Sequence, residues 1–398
     1  MGDFGEKTDC INEKMLSYIA GQEMAEAALL VRKSGKLVYQ NTWGGASCDS
    51  MYRMMSLTKI VTSIAILKLM EQGKVTLEDS IAKYLPAFSD MKVACDERYI
   101  GVEASQEKLL SCLPSFVLEE VKTVPAKRPI TIRDLLSHSA GLEQGDVGLL
   151  TLYSMKEGDK TLKERVERYS HYVLGFQPGN GTGYSPICGF AVLGKLIEII
   201  SGMRYEEFLQ KEICEPLEMK NTTFFLSEEQ KAKLVPVYER ADGKLVDVTG
   251  TKKDMNGFLL QNPIRFEDGS AGLFSTVADF EHVADMLCHH GRYRDSQFLK
   301  PETVELMHTP AAEKYMEPEP GLVWGLGVQI RENPGKAGSF ATQGTYGWSG
   351  MFGTHLFVSP KDELEAVFVT NRCDLDGSHS YISREVERMV FQMYSESE

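Results

Sequence analysis

Apolar residues fall in short β-type blocks at both ends of the chain and recur at helical spacing through its middle. Leu29-Leu30-Val31 and Leu37-Val38-Tyr39 flank the turn dipeptide Ser34-Gly35, so Ala27 to Trp43 reads as a hairpin that begins the fold. Near the other end, Gly353 to Val358 and Leu364 to Thr370 are joined by Ser359-Pro360-Lys361-Asp362, a strong turn signal. Ser380 to Tyr394 then places Ile382, Val386, Met389, Val390 and Met393 at helical spacing. In between, Thr76-x-x-Asp79, Thr131-x-x-Asp134 and Thr276-x-x-Asp279 have the form of capping boxes, each ahead of a helical apolar pattern. Asp146 to Arg168 reads as a helix-like surface segment, and Ser227 to Asn262, polar and weakly periodic, as loop-rich. The expected fold class is α/β of the α+β kind: one antiparallel sheet built from both ends, covered by helices, with a mostly helical region inserted. Residues 1–60 with 265–398 form the expected sheet domain, and 61–264 the helical one.

Composition narrows the function classes. The chain has 398 residues, 42% hydrophobic and 25% charged, the balance of an ordinary globule with ample core. A net charge of −14 repels phosphate backbones and anionic headgroups, so neither nucleic acid nor membrane is an expected partner. Asp3, Glu6 and Asp9 with no following apolar stretch do not make a secretory signal, and the apolar run after Ile60 is broken by Lys68 and Glu71. A cytoplasmic location is expected. Eight dispersed cysteines without C-x-x-C read as reduced thiols.

Three segments carry candidate chemistry. In the first, Ser56-Leu57-Thr58-Lys59 opens a helix that is apolar on nearly every face and stops at Gln72-Gly73. Residues three apart on a helix lie on one face, so Lys59 can set its amine beside the Ser56 hydroxyl at a helix N-terminus suited to a developing oxyanion. That is the local logic of a Ser-Lys nucleophile. S-x-x-K alone is weak, because Ser56 as a helix cap and Lys59 as a surface residue explain it equally. The apolar residues that follow Lys59 tip the balance, since a buried amine needs a partner or a function.

The second segment, Gly179-Asn180-Gly181-Thr182-Gly183-Tyr184-Ser185-Pro186, puts Tyr184 on a loop tip ahead of an apolar helix; its glycine spacing does not fit a nucleotide loop. In the third, Trp348-Ser349-Gly350-Met351 precedes a strand, and glycine at a strand edge lets a ligand approach the backbone. An α/β-hydrolase elbow at Ser349 is excluded, because Met351 breaks G-x-S-x-G and a strand follows. Cys288-His289-His290-Gly291 suggests metal, but histidines in a last helical turn are explained by the helix dipole. His138 and His355 read as structural, and Met51, Met54 and Met55 as core fillers. Neither a metal nor a cofactor is expected.

Together, Ser56-Leu57-Thr58-Lys59, Tyr184-Ser185-Pro186 and Trp348-Ser349-Gly350 occur in an order and wide spacing that resemble the serine β-lactamase and penicillin-binding-protein superfamily. The chain looks most like the branch of class C β-lactamases, family VIII carboxylesterases, D-aminopeptidases and lovastatin-type acyltransferases. Arg133-Asp134-Leu135-Leu136-Ser137-His138-Ser139-Ala140-Gly141-Leu142 and Gly272-Leu273-Phe274-Ser275-Thr276 also resemble it. The resemblance implies a β-lactamase/transpeptidase-like fold with the active site in a cleft between the two domains. It implies Ser56 as nucleophile, Lys59 as neighbouring amine, Tyr184 as the phenol exchanging protons with them, and the N–H groups of Ser56 and Met351 as oxyanion hole. Trp348, Ser349, Gly350 and Pro186 would face the substrate.

Two departures bear on that substrate. The third motif usually carries a Lys that attracts a carboxylate, and here it is Trp348; the second usually ends in an Asn amide, and here it is Pro186. A neutral small-molecule acyl ester is therefore expected, with Trp348 as an apolar wall. Acyl transfer to an alcohol or amine is the nearest alternative, followed by β-lactamase or D-amino-acid peptidase activity, and by a non-catalytic sensor on the same scaffold.

Overall fold

The computed structural model describes residues 2–154, 159–256, 266–311 and 319–394. The expected domain boundary at 264/265 lies outside the described residues. The first hairpin is present as β1 (Ala27–Lys33) and β2 (Lys36–Trp43), with Ser34 and Gly35 both at positive φ. The C-terminal part supplies β3 (Leu322–Trp324), β4 (Gln329–Arg331), β5 (Tyr346–Ser349), β6 (His355–Ser359) and β7 (Leu364–Thr370). They form one antiparallel sheet of seven strands in the order β3-β4-β5-β6-β7-β1-β2, in which Ala27 pairs with Thr370 and Lys33 with Leu364. The two ends of the chain thus meet in one sheet. No helix among the described residues is long and apolar enough to cross a membrane.

The period-2 alternation of the strands sorts their side chains between two cores. Ala27, Leu29, Val31, Phe357, Ala366 and Phe368 pack on one face beneath α1 (Gly2–Ala20) and α5 (Tyr381–Tyr394). Ala28, Leu30, Leu356, Val358, Val367 and Val369 face the main core with α2 (Thr58–Glu71), α3 (Cys188–Ser201) and α4 (Val277–Cys288). Helix α2 runs through this core with Thr58 to Leu67 and Leu69 all buried, which is why its sequence is apolar on every side; Gly73, at φ +70°, follows its end.

The structure departs from the sequence reading in several places. Helix α1 precedes the hairpin; Ile11, Met15 and Tyr18 at i, i+4 and i+7 are its buried stripe and were the available signal. Thr131 forms a full capping box and Thr276 caps α4, but Thr76 starts no α-helix. There the Asp79 carboxylate accepts from the Tyr84 hydroxyl at 2.7 Å and from Lys83, so the segment closes as a turn before a short 3-10 helix at Ile81–Lys83. Asp146 to Arg168 is two helices, Gly145–Ser154 and Leu162–Tyr169. Within Ser227 to Asn262, whose last residues lie outside the described set, Tyr238–Ala241 and Lys244–Asp247 pair as a hairpin.

Candidate active site

Ser56 lies in a 3-10 turn, Met55–Leu57, placed directly before α2, so it is one residue ahead of the α2 N-cap, Leu57, and its side chain caps nothing. Met55 is at φ +49°, a conformation costly for a side chain of its size, and its packing with Met51, Phe274 and Phe352 holds it there. The strained turn presents the Ser56 hydroxyl to a cleft of about 570 Å³.

Three groups meet at that hydroxyl. The Tyr184 phenol donates to Ser56 Oγ at 2.6 Å, and the Lys59 amine donates to the same oxygen at 3.2 Å. Lys59 is fully buried, and its other two protons go to the backbone carbonyls of Pro186 at 2.7 Å and Ser270 at 2.8 Å. Both carbonyls are aimed by buried carboxylates, Glu143 from a distant stretch and Asp268 from two residues before Ser270. Glu143 accepts from Ser185 Oγ and from the N–H groups of Ile187 and Cys188 (2.8–3.0 Å), fixing the turn that carries Pro186. Burial raises its pKa, while these hydrogen bonds and the charge of Lys59 act in the opposite direction. Asp268 accepts from Ser270 N at 2.9 Å and pairs with Arg165 at 2.6 Å, fixing the other carbonyl. Removing either carboxylate leaves a buried donor set unsatisfied, at about 1–3 kcal/mol per group.

Tyr184 is held by rings rather than by its own loop. It stacks nearly parallel on Trp324 at 5.9 Å, tilts on Trp348 at 4.9 Å and on His138 at 5.1 Å, and Trp348 Nε1 donates to its oxygen at 3.3 Å. His138, at φ +54°, accepts from Ser185 N through Nδ1, which puts its ring proton on Nε2. Burial and then the Lys59 charge hold it well below the ordinary histidine pKa, so it is a neutral floor.

The third motif approaches along β5. Strand β4 pairs with β5 only through Tyr346 and Gly347, so Trp348, Ser349 and Gly350 have an open edge on that side. Gly350 donates to Thr354 O at 2.7 Å and tucks against the Ser56 turn: a Cβ there would fall 2.1 Å from Thr354 Oγ1 and 2.6 Å from the Met54 carbonyl. Only glycine permits that approach. It brings Met351 into the wall of the cleft that holds Ser56. Pro186, Trp348 and Ser349 line the same cleft as Ser56, Tyr184 and Met351, whereas Lys59, fully buried, and Gly350 stand behind its wall.

Several neighbours were missed by sequence reasoning. Glu143, Asp268 and Trp324 sit in stretches with no motif of their own. His355, read as structural, connects Ser349 to the helix α5: its Nδ1 lies 2.8 Å from Ser349 Oγ and its Nε2 2.9 Å from Glu387 Oε2. Glu387 also pairs with Arg331 at 2.9 Å. Burial alone would raise the Glu387 pKa, but the Arg331 charge and the His355 hydrogen bond overcome it and bring it from 4.5 down to about 2. The native state therefore binds fewer protons than the unfolded chain between those values, and stability is lost as pH falls through that window. The shift corresponds to about 3 kcal/mol. Urea unfolding between pH 5 and pH 2 should show that loss in the wild type and a shallower acid limb in Glu387→Gln.

Comparison with known proteins agrees with this architecture. The Beta-lactamase family model matches residues 11–386. An Escherichia coli K12 protein named "Putative D-alanyl-D-alanine carboxypeptidase" is 25% identical over 382 residues, spanning 86% of this chain and 77% of that protein. Among solved structures, EstCE1, "a hydrolase with promiscuous acyltransferase activity", superposes with TM-score 0.75 at 20% identity over 99% of both chains. Simvastatin Synthase (LovD) from Aspergillus terreus gives 0.77 at 22% identity over 98% of this chain and 99% of the other. At these identities the two structures establish the fold, β-lactamase/transpeptidase-like with an antiparallel sheet and flanking helices.

Proposed function

The chain belongs to the Beta-lactamase family, and we propose that it is a serine carboxylesterase cleaving neutral esters through an acyl-Ser56 intermediate. The observation that carries this reading is the convergence of Tyr184 at 2.6 Å and the buried Lys59 at 3.2 Å on one serine oxygen inside a cleft. Lys59 Nζ donates to the Pro186 and Ser270 carbonyls as well as to Ser56 Oγ, and these three acceptors hold it as a donor at the serine oxygen. Tyr184 is then assigned as the base: in the reacting form its oxygen, as phenolate, takes the Ser56 proton across the 2.6 Å contact, and Trp348 Nε1 donates to it. The Ser56 oxygen attacks the ester carbonyl, and the N–H groups of Ser56 and Met351 receive the oxyanion; neither donates to another group among the described residues. Tyr184 returns the proton to the departing alkoxide, which leaves as alcohol. Water then repeats the sequence on the acyl-enzyme and releases the acid.

The lining of the cleft supports the substrate class. Trp324, Trp348, Ile187, Ala271, Met55 and Met351 give apolar walls, whereas Glu103, Glu319 and Asp376 are the charged groups, joined by His379. No Lys or Arg lines it among the described residues. A carboxylate-bearing lactam or D-Ala peptide would face like charge without a counter-ion, which is repulsive. Acyl transfer uses the same intermediate, and the description of EstCE1 makes it the second reading.

Turnover of a short-chain nitrophenyl ester should exceed that of nitrocefin by about 100-fold or more, the size expected when a charged group lacks its partner. Comparable rates would defeat the neutral-ester reading. Added alcohol acceptors separate hydrolysis from transfer by the ratio of ester product to free acid. Gly350→Ala should lower kcat about 10–100-fold by pushing Met351 away from the Ser56 turn, with KM little altered. An unchanged kcat, measured on folded protein, would remove Met351 from the oxyanion hole.

A further inference from the structure

At the other end of the sheet, a second cluster of chemistry lies under α4, unconnected with the cleft. Glu365 on β7 is wholly buried on the α4 face, and no N–H or O–H group donates to either of its carboxylate oxygens; the Cys288 thiol at the end of α4 is its hydrogen-bonding neighbour. Across from it, the last turn of α4 presents Asp285 and the following residue His289, whose Nδ1 lies 2.9 Å from the Asp285 carbonyl and 3.1 Å from Asp285 Oδ1. One donor atom from each of Asp285, His289 and Glu365 falls within 4.8 Å of the other two. Charge is out of balance there. Glu281 is bound by Arg32, the cross-strand neighbour of Glu365, so the guanidinium is already engaged, and among the described residues neither Asp285 nor Glu365 has a Lys or Arg ion-pair partner.

We propose that Asp285, His289 and Glu365 form a binding site for a borderline divalent cation of the Zn²⁺ type, clamping the end of α4 to β7. Two carboxylates and one imidazole are a ligand set suited to such an ion, with further coordination by water. A buried carboxylate without partners is costly, and a cation removes that cost. From sequence the helix dipole accounts for the histidines of Cys288-His289-His290-Gly291; the two carboxylates lie one turn earlier on α4 and on a strand far along the chain, outside any local motif. Nothing in this proposal depends on the esterase reading.

The test is equilibrium dialysis of the full-length, chelator-stripped protein against Zn²⁺, with bound metal measured by mass spectrometry and thermal melting followed with and without Zn²⁺. The expected result is about one Zn²⁺ per chain with a raised Tm. His289→Ala and Glu365→Gln should each weaken binding about 10-fold or more, while fluorophosphonate labelling of Ser56 is unchanged. Glu365→Gln keeps the shape and removes the buried charge, so its metal-free form should melt no lower than the wild type. Absence of stoichiometric Zn²⁺, or Zn²⁺ that both variants retain at wild-type affinity, would overturn the site. Surface binding through His290 would produce the second outcome.

Discussion

Ser56→Ala is expected to abolish ester turnover, with kcat falling about 1,000-fold or more and fluorophosphonate labelling lost. The substitution removes one oxygen that serves as acceptor for both Tyr184 and Lys59. Lys59 retains its two carbonyl acceptors, so the fold should survive and melting should shift little. That separation makes the measurement decisive. A second serine offers the competing outcome: Ser349 lies in the same cleft with its hydroxyl 2.8 Å from His355, which in turn contacts Glu387. A Ser56→Ala protein that still takes the label, mapped to Ser349, would reassign the nucleophile to that Ser-His-Glu series. We expect no such label, because Ser349 is nearly fully buried and its hydroxyl serves to hold β5 against α5.

Tyr184→Phe should reduce kcat about 100- to 10,000-fold while KM stays close to the wild-type value. The ring remains packed on Trp324, Trp348 and His138, so substrate walls and stability persist. What disappears is the one oxygen placed to exchange a proton with Ser56, leaving Trp348 Nε1 without its acceptor. Burst kinetics on a nitrophenyl ester would show slowed acylation. A loss smaller than about threefold would move the base to Lys59, and the three-acceptor argument would fall with it.

The elements that the chain announced locally are those whose signal lies within a few residues. The hairpin at Ser34-Gly35, the turn at Ser359 to Asp362 and the C-terminal helix are each specified by turn residues or by apolar spacing. The Thr76-x-x-Asp79 segment shows the limit of such signals: it has the same spacing as Thr131-x-x-Asp134, yet Tyr84 and Lys83 take its carboxylate and no α-helix follows. Competing side-chain donors four and five residues further on decide between a cap and a turn.

The same division holds for the site. The chain by itself determined that Ser56 and Lys59 share one helical turn, that Tyr184 sits on a glycine-rich loop before a helix, and that a Trp-Ser-Gly edge precedes a strand, because neighbours in sequence are neighbours in a helix or a turn. Tertiary structure alone decided that the phenol, 128 residues away, reaches Ser56, and that Glu143 and Asp268 point two carbonyls at the Lys59 amine. It also decided that Ser349 hangs from α5 through His355 and Glu387, and that Glu365 lies beside Asp285 and His289. Such contacts join segments whose local patterns are independent. Only the closing of the sheet by both chain ends, and the packing of the buried α2 against it, brings them within reach.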